Sequence, residues 1–338
     1  MAHDWLLVET LGSEPAVVAQ GRHPEHLEPI ASFVRRKHLA AVQTAIAESV
    51  QSGQPLTSIT PKRRRVIRTE PVVMSDGCVH GVHVWTGPAD EEPPERPIPG
   101  PSKWDLTLGV ATATRESLAN RGEEPGDESA VERAFADDVP SREISPDETR
   151  MLAMAINAQP GQTVSGTLDL TDSNGKPIRI GFVARTGMET GSDGRDHLVA
   201  RSMSWRADLE DPEMSNEVLA QRVVSGPARP GVHRALVDLN NRTLLKWLDE
   251  PCDFYDWRGG ENGQARIHSD DDHRVRAMAE EFTDGPASGV LRLPGHDVDW
   301  VPVHVTVDRV ELEPGTFAGL VSLRLPTVKE LQAAGLRD

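Results

Sequence analysis

At 338 residues the chain is longer than one ordinary core supports, so two or three domains are expected. Hydrophobic residues at 37% with charged residues at 26% exclude a disordered chain, and a formal charge of −17 argues against nonspecific nucleic-acid or anionic-membrane binding. Two cysteines far apart, Cys78 and Cys252, exclude a disulfide framework and suit a reducing compartment.

The chain opens with a hairpin pattern, Trp5–Thr10 and Ala16–Ala19 around Gly12-Ser13. Leu39, Val42, Ile46 and Val50 then fall at helical spacing, and Gly53 stops the helix. Three strand-like runs follow: Pro55–Thr60, Val66–Met74 and Cys78–Trp85, the last two joined at Asp76-Gly77, a hairpin dipeptide. Residues 86–103 carry six prolines and four acidic residues, which rules out a helix or central strand and reads as a semi-rigid spacer.

Beyond the spacer, Leu106–Val110 reads as a strand. Ser145-Pro146-Asp147-Glu148 has the composition of a helix start, with Ser145 capping, Pro146 at the first helical position and Glu148 able to bond back to the cap. Leu152, Ala155 and Ile156 continue that helix to Gln159-Pro160-Gly161. Strands are expected over Thr163–Leu170, Ile178–Arg185 and His197–Trp205. Near 208–231 a short helical pattern, Val218, Leu219 and Val223, sits between Asp211-Pro212 and the run from Gly226-Pro227 to Pro230-Gly231.

The last third repeats the scheme. Arg234–Leu239 and Thr243–Trp247 flank Asn240-Asn241. Ser269 and Asp272 read as a capping pair ahead of Val275, Met278, Ala279 and Phe282, at i, i+3, i+4 and i+7, and Asp284-Gly285-Pro286 ends the helix. Val301, Val303, Val305 and Val307 alternate strictly, and Phe317–Leu325 follows the turn at Pro314-Gly315. The expected fold class is α+β. Three tandem domains each carry a five-stranded antiparallel sheet with helices on one face, and lie in an elongated array. The expected boundaries are 1–88, a proline-rich linker 89–103, a middle domain 104–208, a linker with a short helix 209–231, and a C-terminal domain 232–330.

This order is similar to that of PAS domains and their GAF relatives. His3-Asp4-Trp5-Leu6-Leu7-Val8-Glu9-Thr10-Leu11-Gly12 and Ala45-Ile46-Ala47-Glu48-Ser49-Val50-Gln51-Ser52-Gly53-Gln54-Pro55-Leu56 resemble an actinobacterial family of mycobacterial-type triple-domain sensor proteins arranged PAS–GAF–PAS. The resemblance implies a rod-like sensor or scaffold without an attached effector, and it carries over no ligand motif.

Several residue groups invite chemistry. Cys78, His80 and His83 have metal-ligand side chains, but alternation puts His83 on the opposite face of a strand from the other two unless a bulge intervenes. His268-Ser269-Asp270-Asp271-Asp272-His273 lies where a helix begins and reads as capping. It lacks the glycine and distal glutamate of a calcium loop. Gly259-Gly260-Glu261-Asn262-Gly263 lacks the Lys-Ser/Thr pair of a phosphate loop and reads as a turn. Lys62, Arg63, Arg64 and Arg65 with Arg68 form a basic cluster, either a solvated strand edge or a docking surface for an acidic partner. The seven tryptophans are expected in sheet-face packing; if a module holds a ligand chamber, Trp85 and Trp205 are the candidates to line it.

No nucleophile elbow, His-Glu-x-x-His, flavin-photoreceptor or cyclic-nucleotide signature occurs, so no cofactor, metal site or catalytic residue is identifiable. The first residues show no secretory signal, and no stretch approaches a membrane span. The expectation is a non-enzymatic cytoplasmic sensor that binds a small ligand, a protein partner or both, with no nucleic-acid binding. The rival is a purely structural interaction scaffold.

Overall fold

The computed structural model describes residues 4–60, 65–124, 126, 130–138, 144–209, 229–258, 266–282 and 285–336. The chain forms three sheets, and it divides into two compact units. One holds residues 1–104, 112–132 and 159–213; the other holds 105–111, 133–158 and 214–338.

The first sheet comprises β1 (Leu6–Glu9), β2 (Ala16–Gln20), β3 (His23–Pro29), β4 (Leu56–Thr60), β5 (Arg65–Val73) and β6 (Val79–Pro88), in the order β3-β2-β1-β6-β5-β4. Every pair is antiparallel. Helix α1 (Arg36–Ser52) carries the chain from the β2–β3 side to the β4 edge, and ends at Gly53, whose φ of 63° is the left-handed conformation that glycine adopts without strain. Val42, Ala45 and Ile46 of α1 pack on Leu6, Val8, Ile67, Val82 and Val84.

The second sheet comprises β7 (Gly100–Asp105), β8 (Val110–Thr114), β9 (Ala130–Ala134), β10 (Thr163–Thr171), β11 (Pro177–Thr190) and β12 (Asp196–Arg206), in the order β10-β11-β12-β7-β8-β9. Between its strands lie α2 (Arg115–Asn120), α3 (Phe135–Asp138) and α4 (Pro146–Asn157). The third sheet comprises β13 (His233–Val237), β14 (Leu244–Trp247), β15 (Ala287–Pro294), β16 (Trp300–Glu313) and β17 (Thr316–Arg324), in the order β14-β13-β17-β16-β15. Its helices are α5 (Asp272–Glu281) and α6 (Val328–Ala333). In all three sheets the first strand lies between the second and the last, so one topology is used three times.

The structure corrects several expectations. The first two sheets have six strands, not five. The extra β3 holds two prolines and no apolar alternation, which hides it in the sequence; as an edge strand it tolerates missing N–H donors. Leu106–Gly109, expected to begin a strand, is a turn, because Asp105 Oδ1 accepts from the Thr107 and Leu108 N–H groups and Gly109 takes φ 79°. Glu148 sends its carboxylate to Lys246 Nζ at 2.5 Å, both side chains being buried. Helix α4 packs on β16 and β17 of the third sheet and belongs to the same compact unit as that sheet.

Modules that bury only their own apolar faces do not describe the first unit. Leu6 and Val8 point to α1, whereas Leu7, Val18 and Val72 join Val183, Met203 and Trp205 of the second sheet in one cluster. The unbroken run Leu6-Leu7-Val8 is therefore buried on both faces. Gly81 permits this approach: a Cβ there would stand 2.5 Å from the Val8 carbonyl oxygen and 2.6 Å from Met203 Sδ. Residues 89–99 form no regular element, as their prolines require. They lie against the first sheet, with Trp5 Nε1 donating to the Pro94 carbonyl at 2.9 Å and Glu92 pairing with Arg68 at 3.0 Å.

Candidate functional site

The strongest candidate is a cavity of about 320 Å³ in the second unit, between α5 and the inner face of the third sheet. The strict alternation of Val303, Val305 and Val307 puts one apolar row on that face, where Val321 and Leu323 of β17 and Leu291 of β15 continue it. The helix supplies Val275, Met278 and Ala279, with Phe282 just past its end, at the spacing the sequence shows.

Asp271 holds the helix in place. It is fully buried, accepts from the Arg292 backbone N–H at 2.8 Å and guanidinium at 3.0 and 3.1 Å, and also takes Arg274. These arginines hold its carboxyl below the ordinary range against the opposing effect of burial. The expected capping by the 268–273 run occurs, but through His268, whose Nδ1 accepts from the Asp270 N–H at 3.2 Å, and not through the expected Ser269–Asp272 pair. Ser269–Asp271 form a 3-10 turn, and the Asp271 side chain makes no cap bond because it is spent on Arg292 and Arg274.

Four polar residues line this otherwise apolar cavity: Asp238, Arg242, Tyr255 and Arg266. Burial pushes the Tyr255 phenol up to about 12, so it stays protonated, and raises Asp238 as well. Asp238 accepts from the Asn240 N–H at 2.9 Å. Arg266 donates to the carbonyls of Leu108 at 3.1 Å and Arg242 at 3.3 Å, and burial lowers its pKa. An apolar chamber with a few convergent polar groups is the usual form of a small-molecule site, and this volume falls at the small end of that class. The sequence identifies the helix face, but not Asp238, Arg242, Tyr255 or Arg266. Only the folded chain brings Tyr255 and Arg266 to the 238–242 hairpin turn.

The residues proposed from sequence lie elsewhere. Trp85 and Trp205 are fully buried, with their rings packed over Gly87 and Gly181, and neither lines this cavity. Lys62, Arg63 and Arg64 fall outside the described residues, as does the expected helix at 215–224. Arg65 donates to the Thr86 carbonyl at 3.0 Å, and Arg68 lies 6.0 Å from the Trp85 ring.

The bulge that a shared Cys78–His80–His83 face requires does occur, as a register shift at Val72/Val73 opposite His80. Yet the two rings go to different partners. His80 Nδ1–H donates to the Ser202 carbonyl at 2.8 Å and its Nε2 accepts from Arg201 at 3.1 Å, while His83 Nδ1 accepts from Arg96 at 3.2 Å. Burial lowers His80 to about 4 and His83 to about 3. Among the described residues no group of three His, Cys, Asp or Glu side chains is placed to hold a metal. Arg201 is further held by both oxygens of Glu189 at 2.5 and 2.9 Å and by Asp76 at 2.7 Å. The bonds around Arg201 clamp the two sheets together, while His83 Nε2 is buried without a hydrogen-bond partner.

The N-terminal, middle and C-terminal domains described as Rv3651-like match residues 4–95, 98–207 and 217–334 of this chain. An uncharacterised protein from Mycobacterium tuberculosis, known from its crystal structure, is 62% identical, with a TM-score of 0.89 over 99% of this chain and 100% of that one. An RNA-binding Light-Oxygen-Voltage receptor aligns at 12% identity over 71% of this chain and all of its own, with a TM-score of 0.25, too low to carry an argument. No curated protein matches. Three consecutive domain matches and a full-length relative of high identity lead to one conclusion: the chain belongs to the Rv3651-like family.

Proposed function

We propose that this protein is a non-enzymatic cytoplasmic sensor whose C-terminal module receives a small, largely apolar molecule in the cavity beneath α5. The observation that carries the reading is the cavity itself: apolar walls on helix and sheet, with four polar residues gathered at it. The recurrence of one strand order in all three sheets supports a PAS/GAF-like tandem of sensory modules. A ligand signals only if it binds two states of the module unequally. Helix α5 is the element whose position the ligand would bias, since one of its faces lines the cavity. In this reading output passes to a protein partner.

The alternative, a structural scaffold, draws on the first unit. There Met203 and Trp205 fill the space between two sheets, and arginine–carboxylate clamps hold them. Native mass spectrometry of the protein isolated from its source cells separates the readings. The sensor reading expects a bound small molecule in the wild-type protein that is absent from Val275→Phe and Ala279→Phe, which fill the cavity from the helix. A wild-type protein that carries nothing, and whose melting temperature no metabolite mixture shifts, favours the scaffold.

A further inference from the structure

We propose that the C-terminal cavity selects an amphipathic anion, an apolar body bearing a carboxylate or similar headgroup, with Arg266 as the counter-ion and Arg242 beside it. The inference rests on the ligand-chamber reading above and adds the charge of the occupant.

Arg266 lines the cavity, and its two hydrogen bonds go to neutral carbonyls, those of Leu108 and Arg242. A guanidinium has five N–H donors, so donors remain for a ligand. Among the described residues no carboxylate lies within ion-pair distance of Arg266, whereas Arg234, Arg292 and Arg324 in the same unit are all paired with carboxylates. Asp238 acts on Arg266 beyond ion-pair distance, and a half-buried cation hydrogen-bonded only to carbonyls gains most from an anion that brings its own apolar cover.

The second cation is placed by the backbone. Arg242 takes φ 62°, a left-handed conformation uncommon for arginine and held by its N–H bond to the Asp238 carbonyl at 2.8 Å. The preceding Asn240 and Asn241 would adopt that conformation at less cost, yet the turn gives it to Arg242, which lines the cavity. The one acid at the site, Asp238, is buried and already accepts from Asn240 N–H. Two arginines against one buried carboxyl leave the polar end positive.

A matched pair of fluorescent probes tests this on the full chain: 8-anilinonaphthalene-1-sulfonate, and N-phenyl-1-naphthylamine, which has the same apolar body without the charge. The sulfonate is expected to bind about tenfold tighter, the size of one charge-assisted contact. Arg266→Gln should erase that difference without changing the affinity of the neutral probe, Arg266→Lys should keep most of it, and Arg242→Gln should remove a smaller part. If the neutral probe binds as tightly as the sulfonate and Arg266→Gln changes neither, the anion inference is overturned while the chamber reading stands. If Val275→Phe and Ala279→Phe leave both affinities unchanged, the probes are binding elsewhere and the chamber reading itself falls.

Discussion

The guanidinium of Arg185 on β11 takes both carboxylate oxygens of Glu9 on β1, at 2.9 and 3.2 Å, and Glu9 is only 1% exposed. This fork-to-fork pair joins the first and second sheets beside the Leu7–Met203–Trp205 cluster. Removing one partner leaves a buried charge uncompensated, which costs more than the pair contributes. Arg185→Met should therefore destabilise the fold by about 3 kcal/mol, and the Glu9→Leu/Arg185→Met double variant should recover most of that. Urea unfolding of the two single variants and the double variant measures the coupling; strictly additive losses would show that the pair does not act as a unit.

Acid sensitivity follows from His80. An unfolded histidine titrates near 6.5, and burial holds the folded one at about 4. Between these values the unfolded chain takes up a proton that the folded chain refuses, so stability is complete above pH 6.5 and falls as the pH drops toward 4. The loss is about 3 kcal/mol across that window. His83, lowered to about 3, acts in the same direction. Asp76 and Glu189 are held below the usual carboxylate range, so their contribution is present above that range and is lost only at more acid pH. Urea unfolding at pH 7.5, 6 and 5 should show the decline, and His80→Gln should flatten part of it. An unchanged slope in that variant would contradict the assignment.

Gly81 is required by space. Gly81→Ala sets a methyl group against the Val8 carbonyl and Met203 Sδ, and the overpacking should cost about 2–3 kcal/mol. Because one of the two obstacles is backbone, adding Met203→Ala should not restore the melting temperature. Full rescue would show that the thioether alone sets the distance between the sheets.

The two cysteines should differ in reactivity. Cys252 is buried at 1% exposure, and its thiol is pushed up to about 12, so almost no thiolate exists at neutral pH. Cys78 is partly exposed. Under native conditions iodoacetamide should label Cys78 and spare Cys252 until denaturant is added, as read by peptide mass spectrometry. Equal labelling rates would place Cys252 near the surface.

What could be read from the sequence depended on whether the signal was local. The α1 face, its glycine stop and the valines of β16 announce themselves through period and alternation, and the structure places them so. Strand β3 gave no such signal, because prolines and charges suit an edge that needs neither alternation nor every N–H. The amphipathic face of α4 shows that it is buried, yet nothing in twelve residues says which sheet it covers. The candidate site divides in the same way: Val275, Met278 and Phe282 stand out by spacing, whereas Arg266 is a lone arginine until the chain folds it against the 238–242 turn.

The methyl resonance of Met278 tests the chamber most directly, because this side chain lines the cavity and packs against Gly289. With methyl-labelled methionines, assigned through Met278→Leu, addition of the anilinonaphthalene sulfonate should shift Met278 strongly and leave Met74 and Met188 in place. Fluorescence that rises while the Met278 resonance stays still would mean that the probe sits outside the cavity and that no ligand chamber lies beneath α5.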